Sequence, residues 1–138
     1  MSATSAPPVA PSAGQQSVPF RQFLLKIHSR CNLACTYCYM YEAADQSWRQ
    51  RPRVMAPETV RRAARLMAEH AREQELSQVH VVLHGGEPLL FGAGRLEELL
   101  GMVREALAGV AVPRFTMQTN GIRLAEDQIG RASCRERV

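Results

Sequence analysis

The chain has 138 residues, 46% hydrophobic and 22% charged, with a formal net charge of +4. Those values suit one small globular domain with a modest core, and no run of about 18 apolar residues is present to span a membrane. Of the 17 basic side chains only Lys26 is a lysine, an arginine bias that reads as genomic base composition, so no nucleic-acid partner is expected.

Residues 1–20 carry no charge and contain Pro7, Pro8, Pro11 and Pro19 among serines and alanines. Lacking the basic start and apolar stretch of a secretion signal, they read as a disordered, proline-stiffened leader. A reducing, cytoplasmic location is therefore expected, where clustered cysteines point to metal or redox chemistry rather than to disulfides.

From Arg21 onward the periodicity changes. "RQFLLKIHSR" places Phe23, Leu24, Leu25 and Ile27 in a short apolar run, which predicts a first buried strand. Directly after it, "RCNLACTYCYMY" spaces Cys31, Cys35 and Cys38 as CxxxCxxC. "APETVRRAARLMAEHAREQEL" has Pro57 at a first helical position and Val60, Ala64, Met67 and Ala71 on one stripe, which predicts an amphipathic helix. "QVHVVLHGGEP" gives Val79, Val81, Val82 and Leu83, a second strand ending at Gly85, and its near-continuous apolar character suits a sheet covered on both faces. "RLEELLGMVREALAG" predicts a second helix through Leu96, Leu99, Leu100, Val103 and Leu107, with Gly109 as its stop. "RFTMQTNG" supplies a third strand, with Phe115 and Met117 alternating with polar residues before the turn at Asn120-Gly121.

The order strand, helix, strand, helix, strand implies parallel strands joined by right-handed crossovers, hence an α/β fold, either a three-layer sheet or the start of a barrel. The cysteines follow the first strand, GGEP the second and QTNG the third. All three motifs thus open from the C-terminal edge of the sheet, where parallel α/β proteins bind ligands. Three thiolates without a fourth match iron–sulfur ligation that leaves one iron open. Zinc is an alternative, with His28 or His84 completing a Cys₃His site, and a redox-active "CTYC" pair is a third. Gly85 and Gly86 read as places where backbone approaches a ligand closely, Glu87 as a carboxylate for a cation, and Pro88 as fixing the chain direction beyond. Tyr39, Tyr41 and Trp48 read as packing beside the site, and His28 and His84 as loop histidines with satisfied rings. Arg49, Arg51 and Arg53 read as a solvated loop, and Met67 and Met102 as core.

CxxxCxxC after the first strand, with Tyr37 just before its last cysteine, GGEP after the second and QTNG after the third together resemble the radical S-adenosylmethionine (SAM) enzymes over about residues 21–128. The resemblance implies the N-terminal half of a partial (β/α)6 barrel. It implies a 4Fe-4S cluster on Cys31, Cys35 and Cys38, with the amine and carboxylate of SAM chelating the fourth iron. By position, Gly85, Gly86 and Glu87 would hold the methionyl amino group, Tyr37 would lie near the adenine, and Gln118 and Asn120 would face SAM or the substrate. The implied chemistry is reductive SAM cleavage, fed by a low-potential electron donor, to a 5′-deoxyadenosyl radical that abstracts hydrogen from substrate.

A narrower likeness lies in "CNLACTYCYMYEAADQSWRQRP", "VVLHGGEPLL" and "QTNG". They resemble the radical SAM peptide maturases with a SPASM extension, of the type that joins an aromatic carbon to a neighbouring side-chain carbon in a ribosomal precursor peptide ending in FxSxx. Anaerobic sulfatase-maturing enzymes are the alternative inside the family, and a non-catalytic zinc-binding module is the alternative outside it. The family's six strand-helix units are not all reached, since the chain stops as a third helix starts at "LAEDQ". Residues 129–138, "IGRASCRERV", read as a non-native tail in which Cys134 is incidental. A chain of this extent is expected to hold the cofactors without turning over a peptide alone.

Overall fold

The computed structural model describes residues 18–125; most of the expected leader, and the expected tail with Cys134, lie outside the described residues. Three strands carry the architecture: β1 (Gln22–His28), β2 (Gln78–Gly85) and β3 (Val112–Met117). Between them run α1 (Pro57–Glu73) and α2 (Ala93–Leu107). β2 is central, and both neighbours pair with it in parallel in the order β1-β2-β3.

The pairing register lines up matching side chains across the sheet. Phe23, Val81 and Phe115 form one row, and Leu25, Leu83 and Met117 form the next. Because side chains alternate along a strand, both rows face the same way. They meet the buried stripe of α1 (Val60, Ala64, Met67, Ala68, Ala71) and that of α2 (Leu96, Leu99, Leu100, Val103, Leu107) in a single hydrophobic cluster. Pro57 occupies the first turn of α1 as the sequence predicts, and Met102 packs half-buried against the cluster.

Sequential strand order has a consequence for the layers. Two right-handed crossovers stepping in one direction place both helices on one side of the sheet. The opposite face carries Leu24, Lys26, His80, Val82, His84, Thr116 and Val112; Leu24 is 56% and Val112 57% exposed there. Helices therefore cover one face only among the described residues, although Val82 and His84 of the central strand are buried on the other, in part as the apolar run of β2 leads one to expect. This is the layering of a barrel wall, with helices outside and an inner face open, rather than of a three-layer sheet.

Two local features bear on the site. At the outer side of β1, residues 53–55 run antiparallel: Met55 N–H donates to the Ile27 carbonyl at 2.9 Å, and Ser29 N–H to that of Arg53 at 2.8 Å. The β1–β2 register also shifts between Lys26 and His28, which brings His28 opposite Gly85. After β3 the chain makes a 3₁₀ turn, Ile122–Ala125, and the third helix expected to start at "LAEDQ" lies mostly outside the described residues.

Candidate functional site

The loop after β1 carries Cys31, Cys35 and Cys38, all free thiols and all half-buried. Its curvature comes from turns in which Cys38 N–H donates to the Cys35 carbonyl at 3.0 Å and Glu42 N–H to that of Cys38 at 2.9 Å. Leu33 N–H donates to Cys31 Sγ at 3.4 Å. The three cysteines line one cavity of about 230 Å³ together with Tyr41 and Trp48.

Arg30 anchors this loop from below. Its guanidinium donates to the carbonyls of Ser29 and Trp48, each at 2.9 Å, and to those of Arg49 at 3.2 Å and Arg51 at 3.4 Å. The segment with Arg49, Arg51 and Arg53 is thus tied down through its backbone while its side chains stay exposed, as the solvated-loop reading expects. Trp48 lies between the guanidiniums of Arg30 and Arg49, 5.0 and 4.8 Å from its ring centre, and Tyr41 packs on it edge-on at 4.7 Å. His28 is buried and its Nδ1 meets the Arg30 main chain, 3.0 Å from the carbonyl oxygen and 3.2 Å from the nitrogen, the bland reading of that residue.

The glycines of GGEP answer to protein backbone. A Cβ on Gly85, whose φ is +144°, would strike the His28 carbonyl, and one on Gly86 would strike the Arg30 carbonyl and the Tyr41 hydroxyl. Gly86 N–H donates to the His28 carbonyl and Glu87 N–H to that of Arg30, each at 2.9 Å, so the two loops are laced main chain to main chain. Side chains are absent because the cysteine loop lies against this turn.

Glu87 is fully buried. Its Oε1 accepts from Leu89 N–H at 2.9 Å and from the Thr119 hydroxyl at 2.7 Å, and its Oε2 accepts from Asn120 N–H at 2.8 Å. The carboxylate therefore clamps GGEP to QTNG. Asn120 carries the link onward, with its Nδ2 donating to Asn32 Oδ1 at 2.9 Å and lying 3.7 Å from Cys31 Sγ. Three loops from three strands are joined in this way into one edge.

The expected site residues divide accordingly. Cys31, Cys35, Cys38, Gly85, Gly86, Glu87 and Asn120 are brought together. Tyr37 stands apart at 88% exposure, and Gln118 has an exposed side chain, held only through its N–H to the Leu83 carbonyl at 3.0 Å. His84 lies in β2, buried, with its Nε2 3.5 Å from the Tyr39 hydroxyl and its Nδ1 without a partner among the described residues, so it is neither a loop histidine nor fully satisfied as expected. Thr119, Asn32 and Arg30 were not singled out from the sequence. Thr119 sits inside the quoted QTNG and Arg30 directly before Cys31, so position was the signal for both.

Three thiols line one cavity, a donor set that matches iron–sulfur ligation with one iron left open. Around the same cavity the Tyr41 hydroxyl and Trp48 Nε1 are buried without hydrogen-bond partners, which suits an acceptor-rich group of sulfurs.

Comparison with known proteins agrees with this geometry. Residues 25–132 match the pattern of the Radical SAM superfamily. The chain is 33% identical over 105 residues to the serine-type anaerobic sulfatase-maturating enzyme of Klebsiella pneumoniae, covering 75% of this chain and 25% of that relative. It is 29% identical over 97 residues to the enzyme of the same description from Bacteroides thetaiotaomicron, covering 70% and 22%. The solved structure of native anSMEcpe with bound AdoMet and Cp18Cys peptide superposes with a TM-score of 0.57 at 25% identity, covering 75% of this chain and 25% of that one. The chain thus spans about a quarter of the length of the curated relatives. These matches set aside the non-catalytic zinc module: the chain belongs to the radical SAM superfamily of enzymes, whose cofactors are S-adenosyl-L-methionine and a 4Fe-4S cluster.

Proposed function

We propose that this chain is the cluster- and SAM-binding part of a radical SAM enzyme that modifies a peptide or protein side chain, of the sulfatase-maturating kind. One observation carries the reading: three thiols share one cavity at the C-terminal edge of a parallel sheet, against GGEP and QTNG. Residues 21–128 form the segment of the core, with Cys31, Cys35 and Cys38 as the cluster ligands. Bound there, a cluster would supply the electron for reductive cleavage of SAM.

The chain's own residues divide the remaining work. Gly85 and Gly86 bring main chain against the cysteine loop, the space of their missing side chains being taken by the His28 and Arg30 carbonyls and the Tyr41 hydroxyl, and their backbone is assigned to the methionyl end of SAM. Glu87 holds that turn against Asn120 rather than offering a free carboxylate. Tyr37, which is exposed, is assigned to the adenine, and Gln118 and Asn120 are assigned to SAM or the substrate. A low-potential donor and a peptide are the partners of the whole enzyme.

The reaction product separates two readings. The relatives are sulfatase-maturating enzymes, which favours oxidation of a serine or cysteine to formylglycine over the carbon–carbon cross-link suggested by the motif wording. Serine oxidation and cross-linking both remove two hydrogens, so mass alone does not distinguish them; an aldehyde-capturing hydrazide does. The test takes the full-length enzyme with SAM, a low-potential reductant, and either a serine-containing sulfatase peptide or an FxSxx precursor. Hydrazide capture of the first supports the proposal, and a hydrazide-silent loss of two hydrogens from the second replaces it with cross-linking. For the chain itself, anaerobic reconstitution is expected to give iron and sulfide in about equal amounts. Single Cys→Ala changes at Cys31, Cys35 or Cys38 should each deplete both, while Cys134→Ala should deplete neither. Retained iron in all three single variants would overturn the ligand assignment.

A further inference from the structure

We propose that the Tyr41 hydroxyl donates a hydrogen bond to the sulfur framework held by Cys31, Cys35 and Cys38, and thereby sets the electron affinity of the cluster. The proposal rests on the cluster reading above. Tyr41 first reads as packing, and its ring does pack, edge-on against Trp48 at an interplanar angle of 73°. Its oxygen is another matter. It is buried and has no hydrogen-bond partner among the described residues, a state that costs roughly 1–3 kcal/mol for a polar group left unmatched.

The surroundings say what the hydroxyl faces. Tyr41 shares its cavity with the three cysteines, and its hydroxyl lies over Gly86, whose missing side chain is the space that the oxygen uses. The tyrosine cannot easily turn away, because Gln46 Nε2 donates to its carbonyl at 2.9 Å and Trp48 backs its ring, itself held between Arg30 and Arg49. Burial first, then the negative charge of Cys31 and Cys38, pushes the phenol above its ordinary value of 10.0. Thiolate and sulfide sulfurs carry no proton, so a phenol meets them as the donor.

Hydrogen bonds to cluster sulfurs stabilise the more negative, reduced state and raise the reduction potential. Removing the hydroxyl while keeping the ring isolates that effect. In the reconstituted chain, Tyr41→Phe should lower the reduced-to-oxidised ratio about tenfold at a fixed potential, equivalent to about 59 mV for one electron. The assay is a redox titration followed by electron paramagnetic resonance without SAM, with resonance Raman spectra of the iron–sulfur stretches in H₂O and D₂O. The deuterium shift should shrink in the variant. Gly86→Ala, which puts a methyl group where the hydroxyl lies, should move the potential in the same direction. Tyr39→Phe, whose hydroxyl faces His84, should not move it. If the unmodified chain takes up no iron, the cluster reading fails and this proposal with it. If unmodified and Tyr41→Phe chains load equally and show the same potential and deuterium shift, the proposal alone is overturned.

Discussion

Replacing Glu87 tests whether the GGEP carboxylate is a clamp or a ligand-facing group. In Glu87→Ala, three donors lose their acceptor: Leu89 N–H, the Thr119 hydroxyl and Asn120 N–H. Leu89 is 2% exposed and its N–H finds no water, so it carries the full penalty of about 1–3 kcal/mol for an orphaned buried group. Thr119 is half-buried and Asn120 exposed, so each can recover part of its loss from solvent. With the lost side-chain packing added, the expected destabilisation is about 3–5 kcal/mol, against a total of about 5–15 for a domain. Glu87→Gln keeps the shape and one acceptor oxygen. Placed to keep Leu89 and Thr119, it turns an NH₂ toward Asn120 N–H, a loss of about 1–2 kcal/mol. Urea unfolding followed by far-ultraviolet circular dichroism measures both changes. A Glu87→Ala chain within about 0.5 kcal/mol of the unmodified one, with only SAM binding lost, would refute the clamp.

Gly86→Ala forces a methyl group against the Arg30 carbonyl and the Tyr41 hydroxyl, and should cost about 1–3 kcal/mol in the same urea assay. An unchanged midpoint would show that the two loops are not held in contact. The raised pKa of Tyr41 makes stability depend on alkaline pH. Its stabilising contribution is fully present below the ordinary tyrosine value of 10.0 and is lost as pH rises through the higher folded-state value. Melting temperatures of the unmodified chain should therefore fall more steeply above about pH 10 than those of Tyr41→Phe, and parallel curves would count against a buried phenol.

The secondary structure and the edge that carries the motifs were legible in the sequence, because both are properties of short stretches. The stripe Val60, Ala64, Met67, Ala71 repeats within one helix, and β2 ends at Gly85 where its apolar run stops. Since every βαβ unit turns the same way, placing CxxxCxxC, GGEP and QTNG after successive strands already placed them on one edge.

Sequence proximity does not convey what long-range contacts decide. Glu87 meets Thr119 and Asn120 across 32 and 33 residues, and no local pattern distinguishes a carboxylate that points to a ligand from one that points into the turn beside it. Gly86 reads as room for a ligand until the Arg30 carbonyl and the Tyr41 hydroxyl are seen to occupy that room. The apolar run of β2 suggests cover on two faces, while the sequential order β1-β2-β3 sends both helices to one. Tyr41 reads as one more aromatic near the core. Only packing against Trp48 and Gly86 leaves its hydroxyl buried and without a partner among the described residues, on a side chain that lines the cavity of the three thiols, because a side chain's direction is set by the neighbours that exclude its alternatives.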